Sequence, residues 1–127
     1  MKVAIPLFGD RVSPRFAFAP EVLIAEIEGN EVNGRRRIPT GGMSPHQIVM
    51  VLAAQGAETI ICAGIAPFCQ NIVAARGIRL IPGIIGYAEE VLAAFIAGSL
   101  RPGPVGLPRG RRRRGRRGFR PPWRMGG

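Results

Sequence analysis

Three short apolar segments, each ended by glycine or proline, alternate with segments of helical periodicity, and this alternation limits the folds open to the chain. The apolar segments are residues 2–8, 59–63 and 78–81. Runs of this length are typical of strands buried on both faces of a parallel sheet. Because parallel neighbours need crossover connections, which helices supply, the order predicts an α/β protein.

A β-hairpin precedes the first helix. Residues 22–28 and the segment from Glu31 flank Gly29-Asn30, which readily supply the positive φ angles of a two-residue hairpin turn. The arginines at 35–37 place charge along the second strand of the hairpin, as is typical of an exposed sheet edge. The full order predicts β-β-β-α-β-α-β-α, a mixed five-stranded sheet with helices packed on it.

Three helices are predicted from their caps and periodicity. The first begins at Ser44, which can cap it, with Pro45 in the first helical position and Gln47 placed to complete a capping box. The second helix is expected over about 67–76 and the third over about 87–97. Loops after the parallel strands form the usual binding crevice of such a sheet, and we expect the first helix to start at the same edge.

The net positive charge comes entirely from the end of the chain. Residues 1–100 carry eight basic and eight acidic residues, whereas residues 101–127 carry ten arginines and no acid. We therefore predict one α/β domain over 1–100 and an Arg/Gly/Pro-rich tail over 101–127 that is disordered. Two cysteines, no signal-like start and no long apolar run favour a cytoplasmic protein without a membrane span.

Cys69 is the thiol best placed for chemistry. It falls in the first turn of the second predicted helix, where backbone amides and the helix dipole stabilise a thiolate and lower its pKa. A thiolate at a loop edge can bind a metal or a cluster. The alternative is that Cys69 packs beneath the helix as a small apolar residue, and Cys62, in the middle of a strand, is expected in the core.

His46 and Arg15 are the other candidate binding residues. His46 is the only histidine, and a helix start favours its neutral ring, which can coordinate a metal; the alternative is an ordinary surface residue. Arg15, in the loop after the first strand, can offer a bidentate fork to an anion, or can simply be solvated. The Cys62–Cys69 spacing is not that of a zinc site, and the strand ends lack the clustered carboxylates of hydrolytic enzymes.

Several segments together resemble the dinitrogenase iron-molybdenum cofactor biosynthesis family. They are residues 1–6, 12–16, the turn at Gly29-Asn30, residues 62–67 and Gly77-Ile78, and the resemblance covers roughly 2–98. His46 falls where many relatives have a histidine. After Ser13-Pro14, however, Arg15-Phe16-Ala17-Phe18 stands where the family commonly has His-Phe-Gly-Arg.

The resemblance implies a ribonuclease-H-like mixed sheet and a carrier of metal-sulfur cofactors that catalyses no reaction. We therefore expect a non-catalytic carrier of an iron-molybdenum or other metal-sulfur cluster, bound by Cys69 and His46 as metal ligands, with Arg15 countering its charge. The alternative function is an interaction module whose basic tail binds nucleic acid or an acidic protein partner.

Overall fold

The sheet is built from one hairpin and two helical crossovers. A computed structural model describes residues 1–100; the predicted disorder and binding roles of residues 101–127 lie outside the described residues, and the domain boundary at 100 stays a prediction. The strands are β1 (Lys2–Phe8), β2 (Arg11–Val12), β3 (Glu21–Glu28), β4 (Glu31–Pro39), β5 (Thr59–Ile61) and β6 (Arg79–Ile81). The helices are α1 (Pro45–Ala54), α2 (Pro67–Ala75) and α3 (Ala88–Ile96), with a 3-10 helix at Phe16–Phe18.

The mixed α/β architecture predicted from the sequence is confirmed. Five strands lie in the order β4-β3-β1-β5-β6, and β1, β5 and β6 are parallel neighbours. The hairpin strand β3 runs antiparallel to both β1 and β4. Consequently β4 points the same way as β1, as the position of the first helix requires.

A sixth strand was not predicted. The two residues of β2 fold back onto the end of β1, pairing Leu7 with Val12 and Phe8 with Arg11. Gly9, with φ of 66°, supplies the left-handed backbone of the turn between them. The sequence predicts only a loop after β1, because two residues are too few to show a strand pattern.

The sheet separates two apolar cores. Alternate residues of β1 face opposite sides, so that Val3, Ile5 and Leu7 pack with α3, whereas Ala4 packs with α1 and α2. The β4 strand closes one side of the sheet, and its three arginines are exposed there as predicted. None of the helices in residues 1–100 has the length and apolarity that crossing a membrane requires.

The start of α1 has the predicted capping box. The Ser44 Oγ accepts a hydrogen bond from the amide of Gln47 at 3.1 Å, and the Gln47 side chain accepts one from the amide of Ser44 at 2.8 Å. This reciprocal pair satisfies two amides that the helix itself leaves unbonded. The capping box therefore fixes the first turn of α1, which carries His46.

Candidate functional site

The candidate site is the edge of the sheet at which β1, β4, β5 and β6 end. All four strands point toward it, so the loops that follow them open together, and α1, α2 and α3 all begin there. This confirms the strand directions on which the predicted site depends. We call this the carboxyl edge.

Backbone hydrogen bonds tie the loops of the carboxyl edge to one another. The amide of Gly64 donates to the carbonyl oxygen of Pro14 at 2.9 Å, and the amide of Phe16 donates to that of Gly64 at 2.8 Å. On the other side of the same loop, the amide of Val12 donates to Gly86 at 2.9 Å. The loops after β1, β5 and β6 therefore form a single connected platform.

Cys69 lies within the core and not at the surface of this platform. It is 1% exposed and packs in the core shared by α1, α2 and the sheet. Burial raises the pKa of the Cys69 thiol, and the hydrogen bond with the backbone of Ala66 opposes this only in part. The prediction that the start of α2 lowers this pKa is therefore wrong, since the third residue of the helix faces the sheet and loses its water.

Cys62 occupies the core as predicted. Its side chain is fully buried, and desolvation, together with the nearby Cys69, raises its pKa to about 12. Both cysteines are unoxidised thiols. The placement of Cys69 beside Cys62 in the apolar core matches the alternative in which Cys69 serves as a small apolar residue; metal ligation by Cys69 stays a prediction.

His46 and Arg15 are exposed at the carboxyl edge. His46 is the second residue of α1, which packs against both α2 and the 3-10 helix that follows Arg15. The backbone of Arg15 is held by its bridge to Gly64 and by a 3.0 Å hydrogen bond from the buried Ser13 hydroxyl to its carbonyl oxygen. The structure therefore places these two predicted side chains on neighbouring elements, whereas Cys69 is buried in the core to which both elements contribute.

Charge at this edge is unevenly compensated. The guanidinium of Arg37 binds Asp10 and Glu21 at 3.0 Å each, and the hydrogen bond with Asp10 is the main cause of the raised pKa of Arg37. Within residues 1–100, by contrast, no carboxylate lies within ion-pair distance of Arg15. Asp10 and Glu21 are thus both paired with Arg37, while the guanidinium of Arg15 faces solvent and can meet an external anion.

The donor set of the carboxyl edge suits an anion better than a bare metal ion. In the part of the chain that the structure describes, no three side chains among His, Cys, Asp and Glu are grouped to hold a metal. Arg15 supplies N–H donors and His46 supplies one ring that can donate a hydrogen bond or coordinate a metal. Such a set can hold a preformed anionic cluster that already carries its own sulfur ligands.

One feature of the edge was missed in the sequence. Arg11 of β2 is bridged to Tyr87, and its guanidinium carbon lies 4.8 Å from the centroid of the Tyr87 ring. Arg11 in β2 and Tyr87 at the start of α3 are far apart in the chain, so neither periodicity nor spacing indicates the contact. An open cleft of about 480 Å³ also begins beside Tyr87, between the arginines of β4 and the first turn of α3, and Arg15, His46 and Cys69 do not line it.

The fold is that of a small α/β protein with a mixed sheet, and its carboxyl edge carries the exposed side chains of Arg15 and His46. Residues 1–98 match the family model described as dinitrogenase iron-molybdenum cofactor. The chain belongs to this family, which confirms the resemblance seen in the sequence.

Similar proteins and solved structures span most of this chain. An uncharacterized protein of Methanocaldococcus jannaschii, MJ0580, is 27% identical over 105 residues, covering 79% of this chain and 89% of the relative. The crystal structure of PH0822 has a TM-score of 0.76 and 26% identity, covering 80% of this chain and 93% of that one. The apo form of the orange protein from Desulfovibrio gigas has a TM-score of 0.69 at 17% identity, over 80% and 92% of the two chains, which shows a shared fold alone.

Proposed function

We propose that this protein is a non-catalytic carrier of an anionic iron- or molybdenum-sulfur species, which binds at the carboxyl edge through Arg15 and His46. Family membership supports the class of cargo. The observation that carries the binding mode is the unequal charge compensation: Asp10 and Glu21 are both bonded to Arg37, whereas Arg15 faces solvent without a carboxylate among residues 1–100.

The chemistry of the edge favours binding over turnover. Charge-assisted hydrogen bonds from a guanidinium to sulfide or oxide groups are strong enough to hold a cluster without forming a covalent bond. General acid–base catalysis by a carboxylate needs a carboxylate free to exchange a proton with a substrate, and Asp10 and Glu21 are both engaged by Arg37. We therefore assign Arg15 and His46 to holding the cargo and assign no reaction to the site.

Cys69 enters this proposal as a secondary group. Its sulfur can coordinate the cargo only when the first turn of α2 moves away from the sheet, because the thiol is buried and its pKa is raised. A carrier that relies on Cys69 would thus bind slowly and with structural change. A carrier that relies on Arg15 and His46 would bind the cargo on an already formed surface.

Anaerobic titration of the full chain with tetrathiomolybdate tests the proposal. We expect shifted absorption bands for the wild type, with affinity falling about tenfold or more in Arg15→Gln and measurably in His46→Gln. Arg79→Gln is the matched control, since Arg79 begins β6 at the opposite edge of the sheet. Absence of new bands in the wild type would refute the carrier function.

The cysteine variant separates the two binding modes. If charge holds the cargo, Cys69→Ala keeps the bands and the affinity of the wild type. Loss of the bands in Cys69→Ala, with Arg15→Gln unaffected, would instead establish thiolate ligation and reject the role of Arg15. Circular dichroism of each variant shows whether the fold is retained.

A second candidate function rests on the charge asymmetry of the chain. All of the net charge of +10 comes from residues 101–127, and arginines with interspersed aromatics are typical of segments that bind single-stranded nucleic acid. Binding of a labelled single-stranded RNA should weaken steeply with salt, with a log–log slope of up to roughly −7 if all ten arginines contact phosphate. An acidic protein partner would also fit this tail, and a glutamate oligomer tests it alongside the RNA.

A further inference from the structure

Exposed apolar side chains of residues 1–100 are concentrated at the carboxyl edge. Residues 1–100 have seven exposed large apolar side chains. Five of them lie on the strand ends, loops or helix starts of the carboxyl edge, and each of these is 49% to 73% exposed. They are Phe8, Phe18, Phe68, Ile85 and Tyr87. Single exposed apolar residues are normal on a protein surface, but a concentration at one edge marks a binding surface.

Three side chains of this edge form a continuous row. Phe8 stands opposite Arg11 in the pairing of β1 with β2, and Arg11 stands opposite Tyr87 in an antiparallel bridge. Directly opposed residues of neighbouring strands project to the same side, so the three side chains lie side by side. We call them the Phe8–Arg11–Tyr87 row.

The chemistry of the row suits a carboxylate with apolar neighbours. The Arg11 guanidinium stacks on the Tyr87 ring at 4.8 Å, and stacking leaves the N–H groups at its edge available for a bidentate contact. Within residues 1–100, no carboxylate lies within ion-pair distance of Arg11. Arginine and aromatic residues are also the types that dominate the energy of protein–protein interfaces.

Net charge argues against nucleic acid as the occupant of this row. Residues 1–100 carry equal numbers of basic and acidic residues, so they generate little long-range attraction for a polyanion. The excess charge that would draw nucleic acid lies in residues 101–127. The row therefore has to act through short-range contacts, which are those of a protein interface.

We propose that the Phe8–Arg11–Tyr87 row is the docking surface for a protein partner that presents an exposed carboxylate between apolar side chains. A carboxylate of the partner pairs with Arg11, and apolar side chains beside that carboxylate pack on Phe8 and Tyr87. The role of this docking surface rests on the proposed carrier function. A carrier has to contact the protein that receives its cargo, and that contact has to occur at the edge where the cargo is bound. The binding itself does not depend on cargo.

Selection from a displayed library of random 12-residue peptides tests this surface on the full chain without cargo. The library is first depleted on the Arg11→Glu variant, which removes peptides that bind residues 101–127 or any other part of the molecule. We expect the wild type to enrich peptides with Asp or Glu beside aromatic or aliphatic residues. No enrichment, or enrichment of peptides without acids, would overturn the proposal.

Affinity measurements with the enriched peptides complete the test. Phe8→Thr and Tyr87→Ser remove the rings without changing any charge, and both suit their sites, because Thr favours strands and Ser caps helices. We expect each to weaken binding by about fivefold or more, Arg11→Glu by about tenfold or more, and Arg79→Glu, at the opposite edge, to leave it unchanged. Equal affinity for the wild type and the two ring-deletion variants would also reject the row.

The two proposals fail separately. Tetrathiomolybdate titration of Arg11→Glu and Tyr87→Ser reports on cargo, and peptide binding by Arg15→Gln reports on docking. Normal peptide binding with no thiomolybdate bands would keep the docking surface and reject the carrier. Thiomolybdate bands without peptide enrichment would keep the carrier function and reject the docking surface.

Discussion

The amide of Gly64 donates a hydrogen bond of 2.9 Å to the carbonyl oxygen of Pro14, which brings the loop after β5 against the loop after β1. A Cβ atom on Gly64 would lie 2.8 Å from that oxygen, closer than real Cβ atoms come to backbone. Glycine is therefore required here for close approach. This contact is also what positions the backbone of Arg15 at the carboxyl edge.

We expect Gly64→Ala to separate these loops. Backbone has to shift to admit the methyl group, which should lower the free energy of unfolding by about 1–3 kcal/mol and weaken thiomolybdate binding through the displaced Arg15. Urea unfolding measures the first effect. Gly34→Ala is the matched control, because nothing lies within 4 Å of its added Cβ atom, and an equal loss in both variants would contradict the explanation.

The capping box of α1 gives a second prediction. Ser44→Ala removes the acceptor for the Gln47 amide, and loss of such a cap should lower the free energy of unfolding by about 1 kcal/mol. Ser99 lies beyond the end of α3, and its hydroxyl donates to the carbonyl oxygen of Ala94 within the helix. Ser99→Ala should change the free energy of unfolding by less than about 0.5 kcal/mol. Urea denaturation curves of the two variants measure both losses in the free energy of unfolding. Equal losses would show a general effect of removing a serine and would contradict the capping explanation.

Some features of this structure can be predicted from the sequence because they depend on residues that are close together in the chain. The capping box, the turn at Gly29-Asn30 and the apolar segments each depend on residues within a few positions of one another, and all form as predicted. The strand directions then follow from the order of helices and strands. The carboxyl edge could therefore be located before any coordinates were known.

The details of the edge were not predictable, because they depend on contacts between distant segments. The Arg11–Tyr87 stacking and the Gly64–Pro14 hydrogen bond join loops that the sequence keeps apart. The burial of Cys69 depends on the rotation of α2 over the sheet, and a helix of nine residues leaves several rotations compatible with its pattern. At Cys69, desolvation by burial outweighs the effect of the helix start and raises the pKa of the thiol.

The buried thiol of Cys62 predicts a loss of stability at high pH. Its pKa rises from an ordinary value of 9.0 to about 12 in the folded protein, so folding favours the protonated thiol. The stabilisation is fully present below pH 9 and is lost as the pH rises toward 12, since the unfolded chain then releases a proton that the folded chain retains. The slope contributed by one such thiol is about 1.4 kcal/mol per pH unit.

Urea unfolding between pH 8 and 11 measures this slope. Cys62→Ala leaves a small cavity and so lowers stability at every pH, but it should flatten the decline above pH 9 relative to the wild type. The two proteins share every other titratable group, so the difference between the two curves isolates the thiol. Identical slopes in wild type and variant would show that Cys62 ionises as readily in the folded chain as in the unfolded one.

Arg37 should affect the affinity for cargo without contacting the cargo itself. Its guanidinium binds Asp10 and Glu21, the two acids closest to the end of β1 and the start of β3. Arg37→Ala leaves both carboxylates uncompensated at the carboxyl edge, and their charge should repel an anionic cluster. We expect the affinity for tetrathiomolybdate to fall several-fold and the loss to shrink as salt screens the charges.

The control for this effect is Arg36→Ala. Arg36 projects from the opposite face of β4, where its guanidinium bonds to the side chain of Gln55, so its removal changes the net charge equally without exposing Asp10 or Glu21. Exposed ion pairs contribute little to folding, and both variants should unfold at nearly the wild-type urea concentration. If Arg36→Ala weakens thiomolybdate binding as much as Arg37→Ala does, net charge and not local compensation governs the site, and the binding mode proposed for Arg15 loses its basis.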